Sequence, residues 1–296
     1  MDIVNKEIPL NSFTVSIGSV RKIFRGLQRI VTEEADLKLA QWVLLPDQTQ
    51  EEFDARKKEV REKAFNVTVS MYRQDGSHTY GNSEDIFELS GSAPAVTRIF
   101  MTNMTAYRGM ANVDPANSFQ VLLDFSQPPL LDANNIVSSP TPNVSSLTIG
   151  SERDGWLAGI ERVVLSNIDR KHKFRQRFHG PFIYDYGLFV LGIPFALYVC
   201  WLLSDYVGQV SAGKSQFLSI AAFVYIVFAS LWCYRILFGY TKWAFPVAEL
   251  QEQTSNPKIH RKFWWGIVAI IFGKIFWDYF DPYLSISSWI GSGVGQ

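Results

Sequence analysis

The chain has 296 residues, 28 of them basic and 28 acidic, for a formal net charge of zero. Such a balance gives no bulk attraction to nucleic acid, and the length suits one sizeable domain plus extra elements, or two small domains. The 47% hydrophobic and 15% aromatic content is unevenly spread. Residues up to about 180 read as a soluble protein, whereas Phe, Trp, Tyr, Ile, Leu and Val dominate beyond them.

After a short start, "SFTVSI" (12–17) predicts a strand. Val20, Ile23, Phe24, Leu27, Ile30 and Val31 then recur at helical spacing, predicting an amphipathic helix that continues past Ala35 and ends before Pro46. Thr49 and Glu52 form a capping-box pattern ahead of the charged helix "TQEEFDARKKEVREKAF" (49–65). In "FNVTVSMY", Phe65, Val67, Val69 and Met71 alternate with polar neighbours, the signature of a half-buried antiparallel strand. Asp75-Gly76 marks a hairpin into "HTYGN".

Further strands are expected over 96–105, 118–126 and "SSLTIGS" (145–151), with a long Pro/Asn/Ser-rich loop (127–143) that is functional or mobile. A closing helix from about Glu152, capped by Ser151 and Asp154, has a Leu157, Ile160, Val164, Ile168 stripe. It is expected to run on into the basic segment and couple directly to the first apolar run. Residues 1–180 thus read as an α+β domain, an antiparallel sheet with helices on one face. Residues 181–296 read as a membrane region.

Two runs of about 20 apolar residues are long enough to cross a bilayer core. The first, 182–203, carries Asp185 near its start and Pro194 in mid-span, where proline bends more often than it ends a helix. The second, 217–238, carries Arg235 near its end. A third run, 263–280, is finely balanced. Its nine Ile, Val and Phe residues gain about 0.3 to 0.6 kcal/mol each, against roughly 3 for a central Lys274. Lys274 and Asp278 are four apart, on one helical face, where they can pair as an intramembrane charge couple.

Basic residues accumulate on the cytoplasmic side of membranes. Arg170, Lys171, Lys173, Arg175 and Arg177 precede the first run, and Lys242, Lys258, Arg261 and Lys262 follow the second. The connector between the runs (204–216) has only Lys214, balanced by Asp205. The N-terminus has no basic stretch followed by an apolar run, so no cleavable signal is expected. Together these place the N-terminal domain in the cytoplasm, with the five basic residues at the membrane surface beside anionic headgroups.

Chemical motifs are sparse. "GQVSAGKS" (208–215) fits the phosphate-loop pattern, but lies in the connector without a strand–loop–helix context and is expected to be a tight turn. His78, His172, His179 and His260 lie in unrelated contexts without ligand spacing. Cys200 and Cys233 lie in apolar runs, leaving no disulfide framework or thiolate site in the first 180 residues. Asp124 is expected to alternate outward, and Asn66, Asn103 and Asn143 match a glycosylation pattern that a cytosolic domain would not use. Gly192 and Ala196 form a small-xxx-small step for helix packing or self-association.

The reading is a multi-pass cell-membrane protein whose cytosolic domain binds a protein partner or ligand, with the spans as anchor and assembly surface. No cofactor, metal, nucleic acid or catalytic motif is expected. The expected partners are the bilayer, anionic headgroups, an unidentified protein or ligand and a second copy of the chain. The alternatives are an oligomeric channel gated by the domain, with Lys274 and Asp278 facing its path, and a membrane-tethered enzyme with a dispersed site.

Overall fold

A computed structural model of the chain describes residues 4–88, 94–128, 141, 143–170, 173–253 and 255–284. Lys171, His172 and most of the long loop (129–140 and 142) lie outside the described residues, as do the side chains of Lys173 and Asp278.

The chain opens with β1 (Val4–Pro9) and β2 (Phe13–Val15), then α1 (Ile17–Ala40) and α2 (Gln50–Ala64). Next come β3 (Thr68–Arg73), β4 (His78–Gly81), β5 (Val96–Thr102), α3 (Met104–Ala111), β6 (Ser118–Asp124), β7 (Ser146–Ser151) and α4 (Asp154–Ser166). Six strands form an antiparallel sheet in the order β1-β7-β6-β5-β3-β4. Its alternation puts Val69, Met71, Ile99, Met101, Phe119, Val121, Leu147 and Ile149 in one fully buried cluster with the α1 stripe and with Ile160 and Val164 of α4. The α1 helix starts at Ser16, whose side chain accepts from the Ser19 amide, and α2 starts at the Thr49–Glu52 capping box.

Several local expectations give way to tertiary partners. Ser151 does not cap α4; its Oγ donates to Asn117 Oδ1 (2.9 Å) and accepts from the Arg153 amide (2.9 Å). Asp124 is buried rather than outward, because β6 ends on two successive buried residues and its Oδ1 accepts from Ser126 (3.0 and 2.6 Å). Asn103 is 5% exposed and donates to Asn117 O (2.9 Å), so its glycosylation pattern is sealed inside the fold. The closing helix does not run on toward the apolar region. Asn167 Nδ2 turns back to Val163 O (2.8 Å), and Asp169 exchanges two backbone hydrogen bonds with Thr14 (2.9 and 3.1 Å). A separate short helix, α5 (Lys173–Phe178), carries part of the basic run.

Beyond it the chain forms α6 (Pro181–Gly187), a π-helical turn (Leu188–Gly192), α7 (Ile193–Leu202), α8 (Ser204–Ser211) and α9 (Gln216–Ala244). The π turn sits just before Pro194, whose missing N–H would break an ordinary helical ladder, and the Ile193 amide donates five residues back to Leu188 O. Among the described residues, Phe182–Leu202 and Gln216–Ala244 are long and apolar enough to cross a membrane. They pack as a hairpin. Gly192 and Ala196 are buried, and a Cβ at Gly192 would meet Tyr234 of α9 at 3.2 Å, so this small-residue step is used inside the chain.

After α9 the chain returns. β8 (Ala248–Leu250) pairs in parallel with β2, Phe13 opposite Ala248, Thr14 opposite Glu249 and Val15 opposite Leu250. The otherwise antiparallel fold thus gains one parallel pair, between strands more than 230 residues apart in sequence. Residues up to 254 form one compact unit. The remainder is a second unit whose described part is α10 (Ser255–Leu284), an unbroken helix about 45 Å long that contains the third apolar run. Lys274 and Asp278 lie one turn apart on it.

Candidate functional site

Two places in the first unit gather chemistry: a groove between α1 and α4, and the junction where β8 meets β2.

The groove has a volume of about 1030 Å³. Its walls are antiparallel helices in close approach. A Cβ on Gly26 would lie 2.6 Å from Val163, whereas one on Gly159 would meet Ile30 at an ordinary 3.5 Å and one on Gly155 would meet nothing within 4 Å. Lys22, Arg25, Arg29 and Glu33 follow one another along α1 at spacings of three and four, and Gly155, Gly159, Arg162 and Ser166 do so along α4. Two stripes therefore face across the groove, one rich in cations and the other in small residues. Arg25 makes a two-pronged bond to Glu84 (2.5 and 2.6 Å), which holds the Glu84 carboxyl below its usual range. Arg29 lies 3.7 Å from Glu33. Lys22 and Arg162 are exposed and have no ion-pair partner among the described residues.

At the far end of the groove sits Glu34, 5% exposed. A buried carboxylate is tolerated only when paired and hydrogen-bonded. Here Asn117 Nδ2 donates to it (2.7 Å), Arg153 pairs with its other oxygen, and Lys38 stands 4.0 Å away. Asn117 is fixed in turn by Ser151 and by the Glu152 amide (3.3 Å). Trp156 lines this end, and its Nε1–H is buried without a hydrogen-bond partner among the described residues. Sequence reasoning missed Glu34, though it left a signal. Glu34 falls three residues after Val31, on the stripe that α1 otherwise reserves for apolar groups.

At the junction, β2 is flanked by β8 on one side and bridged to Asp169 on the other. Glu252 Oε1 accepts from the Ile17 amide (2.9 Å), placing an acid at the positive end of α1. Arg175 Nη1 donates to Glu249 Oε2 (2.6 Å), with side chains 13% and 3% exposed. Of the five basic residues expected at a membrane surface, Arg170 and Arg177 are exposed, and Arg175 is turned inward onto this carboxylate. His179 is 4% exposed, its Nε2–H directed at Phe245 O (2.7 Å) and its Nδ1 accepting from the Thr141 hydroxyl (2.7 Å). Burial, together with nearby Lys242 and Arg175, pushes its pKa down to about 4, so the imidazole is neutral. Phe178, Tyr184, Tyr234 and Phe238 stack around the base of the hairpin, with Lys242 over the Phe238 ring (5.2 Å).

"GQVSAGKS" is a helix–turn–helix. Gly208 lies in α8, Gly213 takes φ +71 in the turn, and Ser215 caps α9 by accepting from the Phe217 amide. The run is preceded by a helix, so its amides cannot form the strand-to-helix cradle that phosphate binding needs. No group of three or more His, Cys, Asp or Glu capable of holding a metal occurs among the described residues. Comparison with protein-family models, with curated proteins and with solved structures found no match for the chain.

Proposed function

We propose that the chain is a membrane-anchored binding protein, with its N-terminal α+β domain on the cytoplasmic face and its apolar helices as anchor and assembly surface. One observation carries this reading. The two apolar helices leave and re-enter the domain at the same end, because β8 pairs with β2, yet only 17% and 6% of their apolar windows are buried. A core helix would be covered by protein; most of the surface of these two is left uncovered by the described residues of their unit, and lipid is the surrounding that suits it. A loop that departs and returns on one side fits two crossings. Arg170 and Arg177 before the hairpin then share a side with Lys258, Arg261 and Lys262 after it, as the charge rule requires.

Binding is the role assigned to the domain, because its outstanding surface feature is the α1–α4 groove. The anchor is tested in a variant with Cys200 and Cys233 replaced by Ala. Single cysteines at Lys214→Cys and Ser77→Cys are probed in intact cells with a membrane-impermeant maleimide. The former should label from outside and the latter only after lysis. Release of the chain by alkaline carbonate, or labelling of both positions from the same side, would overturn the anchor.

A further inference from the structure

We infer that the α1–α4 groove binds a small phosphorylated solute. This rests on the reading of the N-terminal domain as a binding module and names the chemistry of its ligand.

Five cations, Lys22, Arg25, Arg29, Arg153 and Arg162, line the groove against two carboxylates, Glu33 and Glu34. Lys22 and Arg162 are exposed and carry no ion pair among the described residues. Lysine and arginine are donors only. The acids present are already engaged: Glu34 by Asn117 and Arg153, and Glu33 by Arg29 at 3.7 Å. This excess of positive charge suits an occupant that is negatively charged and rich in acceptors. Planar guanidinium forks match phosphate oxygens, with lysine adding a point charge.

The shape narrows the class. About 1030 Å³ is the size of a site for one small molecule. Gly155 and Gly159 keep the α4 wall bare, although a Cβ would meet nothing within 4 Å at the first and only ordinary contact at the second. Packing therefore does not call for glycine at either position, whereas room for a ligand opposite the cation stripe does. The phosphate can be borne by a free solute or by a soluble headgroup, and the test separates the two.

The full chain, held in nanodiscs of zwitterionic lipid, is titrated with inorganic tripolyphosphate, with a short-chain phosphoinositide and with an acidic octapeptide. Saturable binding of one phosphate probe at one site per chain is expected, and the tighter of the two identifies the source. Lys22→Glu and Arg162→Glu should each weaken it by roughly tenfold to a hundredfold. Gly155→Leu should weaken it by filling the groove, while Lys58→Glu on α2 should leave it unchanged. Both charge-reversed residues are exposed and unpaired among the described residues, so the fold should survive, with unchanged hydrogen exchange in β5 and β6 as the check. Binding indifferent to both reversals, no saturable binding of either phosphate probe, or tighter binding of the octapeptide would overturn the proposal. Carbonate extraction and cysteine labelling do not depend on any of these outcomes, so a failed ligand and a failed anchor remain distinguishable.

Discussion

Helices α1 and α9 are both long, 24 and 29 residues, and they spend their apolar side chains in opposite ways. On α1, Val20, Ile23, Phe24, Leu27 and Val31 are at most 4% exposed, all on the stripe that meets the sheet. On α9, Phe217 and Tyr225 are each 76% exposed and Phe228 is 68% exposed, and only one edge of the helix meets α7. A striped helix needs one apolar wall, whereas a helix apolar around its circumference needs an apolar surrounding. The two regions share a residue vocabulary and differ in how much of it the described residues cover.

The sharpest way to break that comparison is to remove one aromatic from each region. Phe119→Ala should cost the N-terminal domain about 3 to 5 kcal/mol, seen as an earlier urea midpoint and faster exchange in β5 and β6. Phe228→Ala should shift the same readouts by under about 0.5 kcal/mol; an equal shift would mean that α9 is covered by protein. At the boundary, Glu249→Ala removes the carboxylate facing buried Arg175 and should cost roughly 3 kcal/mol, with protease cleavage appearing within 245–253.

His179 adds a pH axis. Its pKa is depressed from 6.5 to about 4 chiefly by burial, so it is neutral in the fold while an unfolded chain takes up a proton. Stability is therefore full above about pH 6.5 and falls as pH drops toward 4, by about 3 kcal/mol. His179→Gln should flatten that part of a pH–stability profile. The smallest effects separate two glycines across one helix pair. Gly159→Ala should stabilise by up to about 1 kcal/mol in thermal melts, whereas Gly26→Ala should destabilise, since its Cβ would lie 2.6 Å from Val163.

What could be read from the residues follows the same division. The α1 stripe, the Thr49–Glu52 cap, the Val67–Val69–Met71 alternation and the two apolar runs are local patterns, and local patterns survive folding. β8 is three residues whose strand character comes entirely from β2, so nothing near it announces it. β1 is an edge strand with exposed Val4 and an irregular apolar pattern, and α3 starts without a side-chain cap. Arg175 cannot be told from Arg177 in sequence; which of them meets Glu249 depends on how one short helix is turned. The groove was not read from the sequence: cations at regular spacing along α1 equally mark a solvated face, and two glycines in α4 look like a weakness until the facing wall is known.

The return of the chain to β2 also sets an order of events during synthesis. Ribosomes deliver β2 early and β8 more than 230 residues later, so the first N–H of α1 waits for Glu252 until both apolar helices have been made. If the hairpin crosses a bilayer as proposed, a copy stalled halfway would hold residues 248–252 away from β2, leaving Arg175 without the Glu249 carboxylate and β2 with an open edge. Pairing of β8 with β2 would then require a completed insertion, so the last strand of the domain and the proposed anchor would be made or lost together.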